Sequence, residues 1–375
     1  MSRKSVIVDA VRSPIGVRNG DLIGMRADDV SAQVIKALLA RNPNFKPEMV
    51  EDLSLGCAFP EGPQGMIMGR SVGILAGLPS VPGKVTNRFC GSSMDTVHQL
   101  STSILAGDIN CGIAVGVEDM FSVPMGGFSP DFHSELAEQE FYIGMGETAE
   151  NLANDLDISR DDQEVFAIAS HEKALKAQAA GNFNNEIVPI DVYGEKTVEK
   201  DEGPREPDIE KIKSLRPAFL EKGTITAATS SPITFGAAAI LITSKEFAKA
   251  NNLQIRAEIV SRAVAAVDWT RMGMGPLPAT NKALTKAGLT IDDIETIELN
   301  EAFAAQSLYV IRTGGWDINK INLNGGAIAL GHPLGCSGAR ILTTLINVME
   351  QQDTHTGLAT MCIGSGQGIA TIIKR

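Results

Sequence analysis

The chain has 375 residues, of which 43% are hydrophobic and 21% are charged, and its formal net charge is −12. The composition is that of a globular protein and excludes a disordered chain, and the length predicts about two or three domains. The acidic balance excludes nucleic-acid binding through a broad basic surface.

The sequence also argues against a membrane or secreted protein. No apolar run reaches the roughly 18 residues that a membrane-spanning helix needs, and the segment Met1–Asp9 lacks the apolar core of a signal peptide. The chain has five cysteines, an odd number, and they show no paired spacing. This pattern is typical of proteins in a reducing compartment. We therefore expect a cytoplasmic protein without a membrane span, and no metal site, because CxxC and HExxH patterns are absent.

Strands and helices alternate through the first 120 residues. Short apolar runs predict the strands, and apolar residues at helical spacing predict the helices. The predicted strands are Val6–Asp9, Val50–Leu55, Val81–Thr86 and Cys111–Val117, and the predicted helices are Asp28–Ala40, Gly65–Ala76 and Met94–Ala106. Such alternation predicts a parallel sheet covered by helices on both faces.

The pattern changes between residues 120 and 235. Helices are predicted at Glu147–Leu156 and Asp161–Ala180, and a polar, proline-containing loop at Thr197–Ile212. The sheet pattern resumes with a strand at Ala237–Thr243. We interpret 120–235 as an insertion into the first sheet domain.

An internal repeat organises the rest of the chain. Val50–Phe59 matches Ile294–Phe303 in register, and Cys90–Ser93 has a counterpart in Gly335–Gly338, in both cases about 245 residues apart. Two coincidences at one offset favour duplication. We predict a first half formed by 1–119 with 236–253, an inserted loop domain at 120–235, and a second half at 254–375.

Cys90 lies where a predicted strand gives way to a predicted helix, within Asn87–Ser93. The N–H groups of a helix start favour a thiolate, so we expect its pKa to fall below the usual value of about 8.5. A buried structural cysteine is the alternative interpretation, and this stretch alone leaves both open. We interpret Cys57, Cys111 and Cys336 as packing residues.

Three further groups follow strands or glycine-rich turns. His332, between Gly331 and Pro333, is the best candidate for a base among the five histidines. Cys362 enters the loop Gly364–Gly368, which lies too near the C-terminus for a dinucleotide site but can offer N–H groups to an oxyanion. Asn300 follows a predicted strand and could hold a water or cap the strand end.

These groups together resemble the thiolase family over essentially the whole chain. The motifs that carry the resemblance are Asn87–Ser93, Asn300–Phe303, Gly325–Gly338 and Cys362–Gly364. The Cys-Gly-Ser-Ser sequence is most similar to the bacterial fatty-acid-oxidation branch. The resemblance implies an α/β thiolase fold: two duplicated βαβαβαββ halves in an α-β-α-β-α sandwich, with the inserted domain binding coenzyme A.

The resemblance also implies thiolytic cleavage of 3-ketoacyl-CoA. Cys90 would form the acyl-thioester, activated by His332, which with a water on Asn300 would also form an oxyanion hole. Cys362 would be the second acid and base, and the N–H groups of Cys90 and Gly364 a second oxyanion hole. The chemistry needs a soft nucleophile and a separate acid and base, which fits this division.

Coenzyme A would be a substrate, with no permanently bound cofactor. Ser231 would bind the pantetheine amide and Arg205 the phosphate or adenine. The predicted lining of the pantetheine tunnel is Phe219, Met145, Met272, Ala302 and Phe303. The resemblance further implies a homodimer or homotetramer, and leaves open a complex with a hydratase/dehydrogenase subunit.

Three other functions compete with this one. Acetyl-CoA C-acetyltransferase activity, which condenses two acetyl-CoA, uses the same groups. A decarboxylating ketoacyl synthase of the same fold uses a single cysteine, so Cys362 argues against it. A thiolase-like subunit that binds coenzyme A or lipid without turnover would not need the set Cys90, His332 and Cys362.

Overall fold

The computed structural model describes residues 3–375 and contains twelve strands, ten of which form one mixed sheet. The strands are β1 (Ser5–Arg12), β2 (Gly16–Val17), β3 (Asp52–Gly56), β4 (Gly83–Thr86), β5 (Cys111–Asp119), β6 (Ile190–Val192), β7 (Lys196–Val198), β8 (Thr234–Ser244), β9 (Ala257–Ala266), β10 (Thr296–Leu299), β11 (Thr356–Ile363) and β12 (Gln367–Lys374).

Helices surround and divide this sheet. They are α1 (Ala27–Arg41), α2 (Met68–Leu75), α3 (Ser92–Ala106), α4 (Ser134–Glu138), α5 (Met145–Asp155), α6 (Arg160–Ala179), α7 (Ile209–Ser214), α8 (Lys245–Ala250), α9 (Pro276–Ala287), α10 (Ala304–Gly314), α11 (Ala327–Leu330) and α12 (Ser337–Gln352). None of them, within residues 3–375, combines the length and apolar character that crossing a membrane requires.

The two halves of the sheet have the same topology. In the first, β3 runs parallel to β4 and β5, and β8 runs antiparallel to β5 and β1. In the second, β10 runs parallel to β11, and β12 runs antiparallel to β11 and β9. A parallel bridge between Ile297 and Ile321 takes the place of the β3–β4 pairing. The predicted duplication of a βαβαβαββ unit is therefore confirmed.

The halves join in two places. Val6 and Ile7 of β1 pair with β9, which makes the sheet continuous. The helices α3 and α12 pack against each other and share one buried apolar cluster with residues of both halves. Two other clusters lie on the outer faces, one beneath α1 and α2 and one beneath α9 and α10. The result is the predicted five-layered α-β-α-β-α arrangement.

The connection from β5 to β8 contains α4 to α7 and the hairpin of β6 and β7. Arg12, at the end of β1, anchors this segment: its buried guanidinium donates to Glu186 at 2.7 Å and to Asp201 at 2.7 Å. The predicted loop at Thr197–Ile212 is wrong in part. Its first residues belong to β7, and the carboxylate of Asp208 accepts the N–H of Lys211 and so starts α7.

The start of α2 also differs from the prediction. The helix begins at Met68, because Met66 and Ile67 adopt left-handed backbone angles with φ of 55° and 54°. Such angles are unfavourable for β-branched side chains. Both side chains are exposed, Met66 at 96% and Ile67 at 62% of their full surface.

Candidate active site

The sequence around Cys90 forms a tight turn between β4 and α3. The side-chain oxygen of Asn87 accepts the N–H of Phe89 at 2.9 Å, and its amide donates to the carbonyl of Ala58 at 2.9 Å. The hydroxyl of Ser92 accepts the N–H of Arg88 at 2.9 Å. These bonds hold Cys90 at the carboxyl end of β4, half-buried at the start of a helix.

A glycine brings this turn against β11. A Cβ at Gly91 would lie 2.5 Å from Cδ1 and 3.0 Å from Cγ1 of Ile363, so the Ile363 side chain would have to shift. The absence of a side chain therefore lets the Cys90 turn contact the end of β11, where Cys362 lies.

Cys90, Cys362 and Gly364 come together at this contact. The N–H of Gly364 lies near the thiol of Cys90 and acts to lower its pKa. Burial raises the pKa of Cys362, and a negative charge on Cys90 raises it further. Cys362 thus carries its proton near neutral pH and lies close enough to Cys90 to respond to its charge.

The expected low pKa of Cys90 is wrong. Burial raises the pKa of the Cys90 thiol to about 11, against the lowering influence of the N–H groups of Gly364 and of Cys90 itself. The N–H groups at the helix start favour the thiolate, but the turn packs between two layers of the fold, and the loss of solvation outweighs their effect.

His332 approaches from the second half of the sheet. The preceding Gly331 has φ of +110°, and a Cβ there would lie 2.6 Å from Thr234. The turn that follows, Leu334–Cys336, contacts the Cys90 turn. Burial, and then the charge of Arg340, lower the pKa of His332 to about 3, so the imidazole is neutral.

Asn300 lies immediately after β10 and is fully buried. Its backbone N–H donates to the carbonyl of Thr360 at 3.0 Å, but its side-chain oxygen and nitrogen have no hydrogen-bond partner among residues 3–375. The side chain therefore does not cap the strand. An amide buried in this way is suited to holding a water molecule.

The neighbouring Glu301 is instead used structurally. Its carboxylate accepts hydrogen bonds from Ser170 at 2.7 Å, Asn322 at 2.8 Å and the N–H of Ile328 at 3.2 Å. It thereby fixes the glycine-rich segment that leads to His332.

Six of the seven residues predicted to bind coenzyme A are linked in a chain of contacts. Met272, Ala302 and Phe303 share one buried cluster with Cys362, and Met145 packs against it. The Phe219 ring meets Phe303 edge to face at 5.8 Å, and the N–H of Ser231 donates to the carbonyl of Ala302 at 3.0 Å. Arg205 lies apart: it is exposed, and its hydrogen bonds are with His171 and Gly203.

Comparison with known proteins gives consistent matches over the whole length. The family model "Thiolase, N-terminal domain" matches residues 5–246, and "Thiolase, C-terminal domain" matches residues 253–375. The chain belongs to the thiolase family. It is 49% identical to a 3-ketoacyl-CoA thiolase of Aliivibrio fischeri over 99% of each chain, and 50% identical to one of Alcanivorax borkumensis over 99% of this chain and 98% of the other.

A solved structure gives the same result for the fold of this thiolase. Human mitochondrial 3-ketoacyl-CoA thiolase in complex with CoA superimposes with a TM-score of 0.92 at 35% identity, over 99% of this chain and 98% of the other. The predicted thiolase fold is thereby confirmed.

Two buried residues of this thiolase were not singled out from the sequence. The carboxylate of Glu118, at the end of β5, accepts the N–H groups of Ala58 at 2.7 Å, Phe59 at 3.1 Å and Gly335 at 2.8 Å. The hydroxyl of Ser337 contacts His332. The sequence signal that could have found Glu118 is an acidic residue directly after the predicted apolar strand Cys111–Val117. Ser337 lies within the glycine-rich motif Gly325–Gly338.

Proposed function

We propose that this thiolase cleaves 3-ketoacyl-CoA with coenzyme A, giving acetyl-CoA and an acyl-CoA shortened by two carbons. The relatives at about half identity and the superimposable human structure carry the name of this activity. The observation that carries the proposal within the chain is the contact of the Cys90 turn with the end of β11, which brings Cys362 and the N–H of Gly364 near the Cys90 thiol.

In the first half-reaction, the sulfur of Cys90 attacks the 3-keto carbon while its proton passes to Nε2 of His332. The N–H groups of Cys90 and Gly364 stabilise the oxyanion on that carbon, an effect worth about 3 kcal/mol per donor. The bond between the second and third carbons then breaks. The acetyl-CoA enolate takes the proton of Cys362, and the acyl group stays on Cys90 as a thioester.

In the second half-reaction, the Cys362 thiolate takes the thiol proton of an incoming coenzyme A. The sulfur of coenzyme A attacks the thioester, and Cys90 leaves as a thiolate that recovers its proton from His332. The raised pKa of Cys362 supports this role, because an acid must hold its proton until the enolate forms. In the first half-reaction, protonated His332 and a water on Asn300 stabilise the enolate oxygen until Cys362 donates its proton.

We propose that the contiguous apolar residues Met145, Met272, Ala302 and Phe303, together with Phe219 and Ser231, bind the pantetheine arm of coenzyme A. Their connection to Cys362 supports this assignment. Arg205 is proposed to contact the phosphate or adenine end, in agreement with its exposure.

The test is cleavage of 3-ketoacyl-CoA substrates from four to sixteen carbons in the presence of coenzyme A. Acetyl-CoA and the shortened acyl-CoA are expected as products, and Cys90→Ala is expected to abolish both cleavage and acyl labelling of the protein. Acyl label on the Cys90→Ala protein would overturn the assignment of the nucleophile. A sharp optimum at four carbons would favour the acetyltransferase, and release of CO₂ from a malonyl thioester would favour the synthase.

We further propose that the protein is a cytoplasmic homodimer or homotetramer. Each chain is proposed to divide into domains at the boundaries predicted above. The five cysteines are free thiols, in keeping with a reducing compartment. Strand β4 lies at the edge of the sheet, and Met66 and Ile67 expose apolar surface that a second subunit would cover. Size-exclusion chromatography with light scattering tests the oligomeric state.

A further inference from the structure

The hydroxyl of Ser337 lies between Nδ1 of His332 and the carbonyl oxygen of Pro333, and these two contacts decide which ring nitrogen of His332 carries the proton. The Nδ1 of His332 and the Oγ of Ser337 are 2.5 Å apart, and the same Oγ donates to the carbonyl oxygen of Pro333 at 2.9 Å. His332 is 3% exposed and Ser337 is fully buried. Both side chains are therefore shielded from bulk solvent at the first turn of α12.

A serine hydroxyl has one proton to donate. If that proton is used in the bond to Pro333, Oγ can only accept from His332, and Nδ1 must then carry the ring proton. The carbonyl of Pro333 also accepts the N–H groups of Cys336 and Ser337 at 3.0 Å each, so it is a fixed acceptor at the start of the helix.

The other ring nitrogen leads to the same assignment. Nε2 of His332 is buried and has no hydrogen-bond partner among residues 3–375. A buried N–H without a partner is less favourable than a lone pair without one, because proteins leave very few buried donors unpaired. Protonation at Nδ1 leaves the lone pair on Nε2.

We propose that Ser337 is a positioning residue that holds His332 in the Nδ1–H form and so presents the Nε2 lone pair as the base for Cys90. The inference rests on the proposed function, in which His332 accepts the Cys90 proton. The hydroxyl of Ser337 bonds to His332 and Pro333 and not to the thiol of Cys90. It acts through the imidazole by fixing its tautomer and the plane of its ring.

The first experiment reads the tautomer directly and needs no substrate. Protein with ¹⁵N-labelled histidine is examined near pH 7.5 by two-bond ¹H–¹⁵N correlation NMR, and the His332 signals are assigned by their loss in His332→Asn. A protonated Nδ1 and an unprotonated Nε2 are expected. A protonated Nε2 in the unmodified protein overturns the proposal, whether or not the thiolase reaction is established.

The second experiment measures the consequence for Cys90 with 4-nitrophenyl acetate, an acyl donor that requires no coenzyme A recognition. Ser337→Ala is expected to add the Nε2–H form to the NMR spectrum and to slow Cys90 acetylation by roughly tenfold or more. Ser337→Thr, which keeps the hydroxyl, is expected to restore both readouts.

Thr343 provides the matched control. It lies in the same helix, is fully buried, and donates its hydroxyl to the carbonyl four residues before it at 2.8 Å, as Ser337 does, but it has no hydrogen bond to His332. Thr343→Val should leave the tautomer and the acetylation rate unchanged. Equal slowing in Thr343→Val and Ser337→Ala, with an unaltered His332 spectrum in both, overturns the proposal in favour of a purely structural role.

Discussion

Cys90 and His332 are both uncharged in the free protein. Burial raises the pKa of the thiol to about 11 and lowers that of the imidazole to about 3. A thiolate–imidazolium pair would require the reverse order of pKa values. The proton of Cys90 must therefore move as the nucleophile attacks, when developing charge on the substrate oxygen is stabilised by the N–H groups nearby.

The reactivity of Cys90 should show this directly. Its alkylation by iodoacetamide is expected to accelerate by roughly tenfold per pH unit from pH 7 to about pH 10, because the thiolate fraction rises toward a pKa of about 11. Peptide mapping by mass spectrometry assigns the label to Cys90. The same measurement on Cys362→Ser checks that the label is not on Cys362. A rate that levels off near pH 8.5 would show that the helix start stabilises the thiolate after all.

Substitution of Cys362 should separate the two half-reactions. Cys362→Ala is expected to leave acylation of Cys90 by acyl-CoA intact and to reduce carbon–carbon cleavage by roughly 10²- to 10⁴-fold, since the enolate loses its proton donor. Acyl transfer is followed by protein mass and cleavage by acetyl-CoA release. Cys111→Ala removes a buried thiol that donates to the carbonyl of Met49, away from the site, and serves as control. Equal activity in the two variants would contradict the role of Cys362.

At the scale of elements, Glu118 links the ends of three segments around the site. Its Oε2 accepts from Ala58 and Gly335, and its Oε1 accepts from Phe59 and Gln64. Every partner is a hydrogen-bond donor. A carboxylate offers two acceptor oxygens to these donors, whereas an amide would offer only one. It joins the segment after β3 to the turn that precedes α12.

Glu118→Gln should therefore destabilise the fold by about 3 kcal/mol, because one oxygen becomes an NH₂ group that faces N–H donors. Urea unfolding followed by circular dichroism measures the change. Glu258→Gln is the matched control: this carboxylate is half-buried and pairs with the exposed Lys4 at 2.7 Å, and its loss should cost less than about 1 kcal/mol. Similar midpoints for the two variants would show that Glu118 does not hold the segments together.

The sequence predicts the secondary-structure elements better than it predicts the burial and hydrogen bonds of individual side chains. The repeat at Val50–Phe59 and Ile294–Phe303 was visible because strand ends carry short motifs, and β3 and β10 occupy equivalent places in the sheet. The pKa of Cys90 was not predictable, since it depends on burial between layers that meet only in the fold. The bonds of Glu118 to Gly335 and of Arg12 to Asp201 likewise join residues far apart in the chain.

At the scale of the whole molecule, the layered core contains a histidine whose protonation opposes folding. His98 lies in α3, and its Nε2 is 2.8 Å from the hydroxyl of Thr371 in β12, so it links the central helices to the second half of the sheet. Burial, and then the charges of Arg262, Arg88 and Lys286, lower the pKa of His98 to about 3. The unfolded chain, with a histidine pKa of about 6.5, binds this proton more readily.

Stability should consequently fall with pH from about 6.5 toward 3, because the unfolded state gains a proton that the folded state excludes. Burial raises the pKa of Glu298 to about 8, which acts in the opposite direction, so the contribution of His98 is read from a difference between variants. Between pH 7 and pH 5, the unmodified protein should lose about 2 kcal/mol more stability in urea unfolding than His98→Gln. Thr371→Val removes the hydrogen bond but keeps the buried imidazole, and should retain the steeper pH dependence. Parallel pH profiles for the unmodified protein and His98→Gln would mean that His98 accepts a proton within the fold.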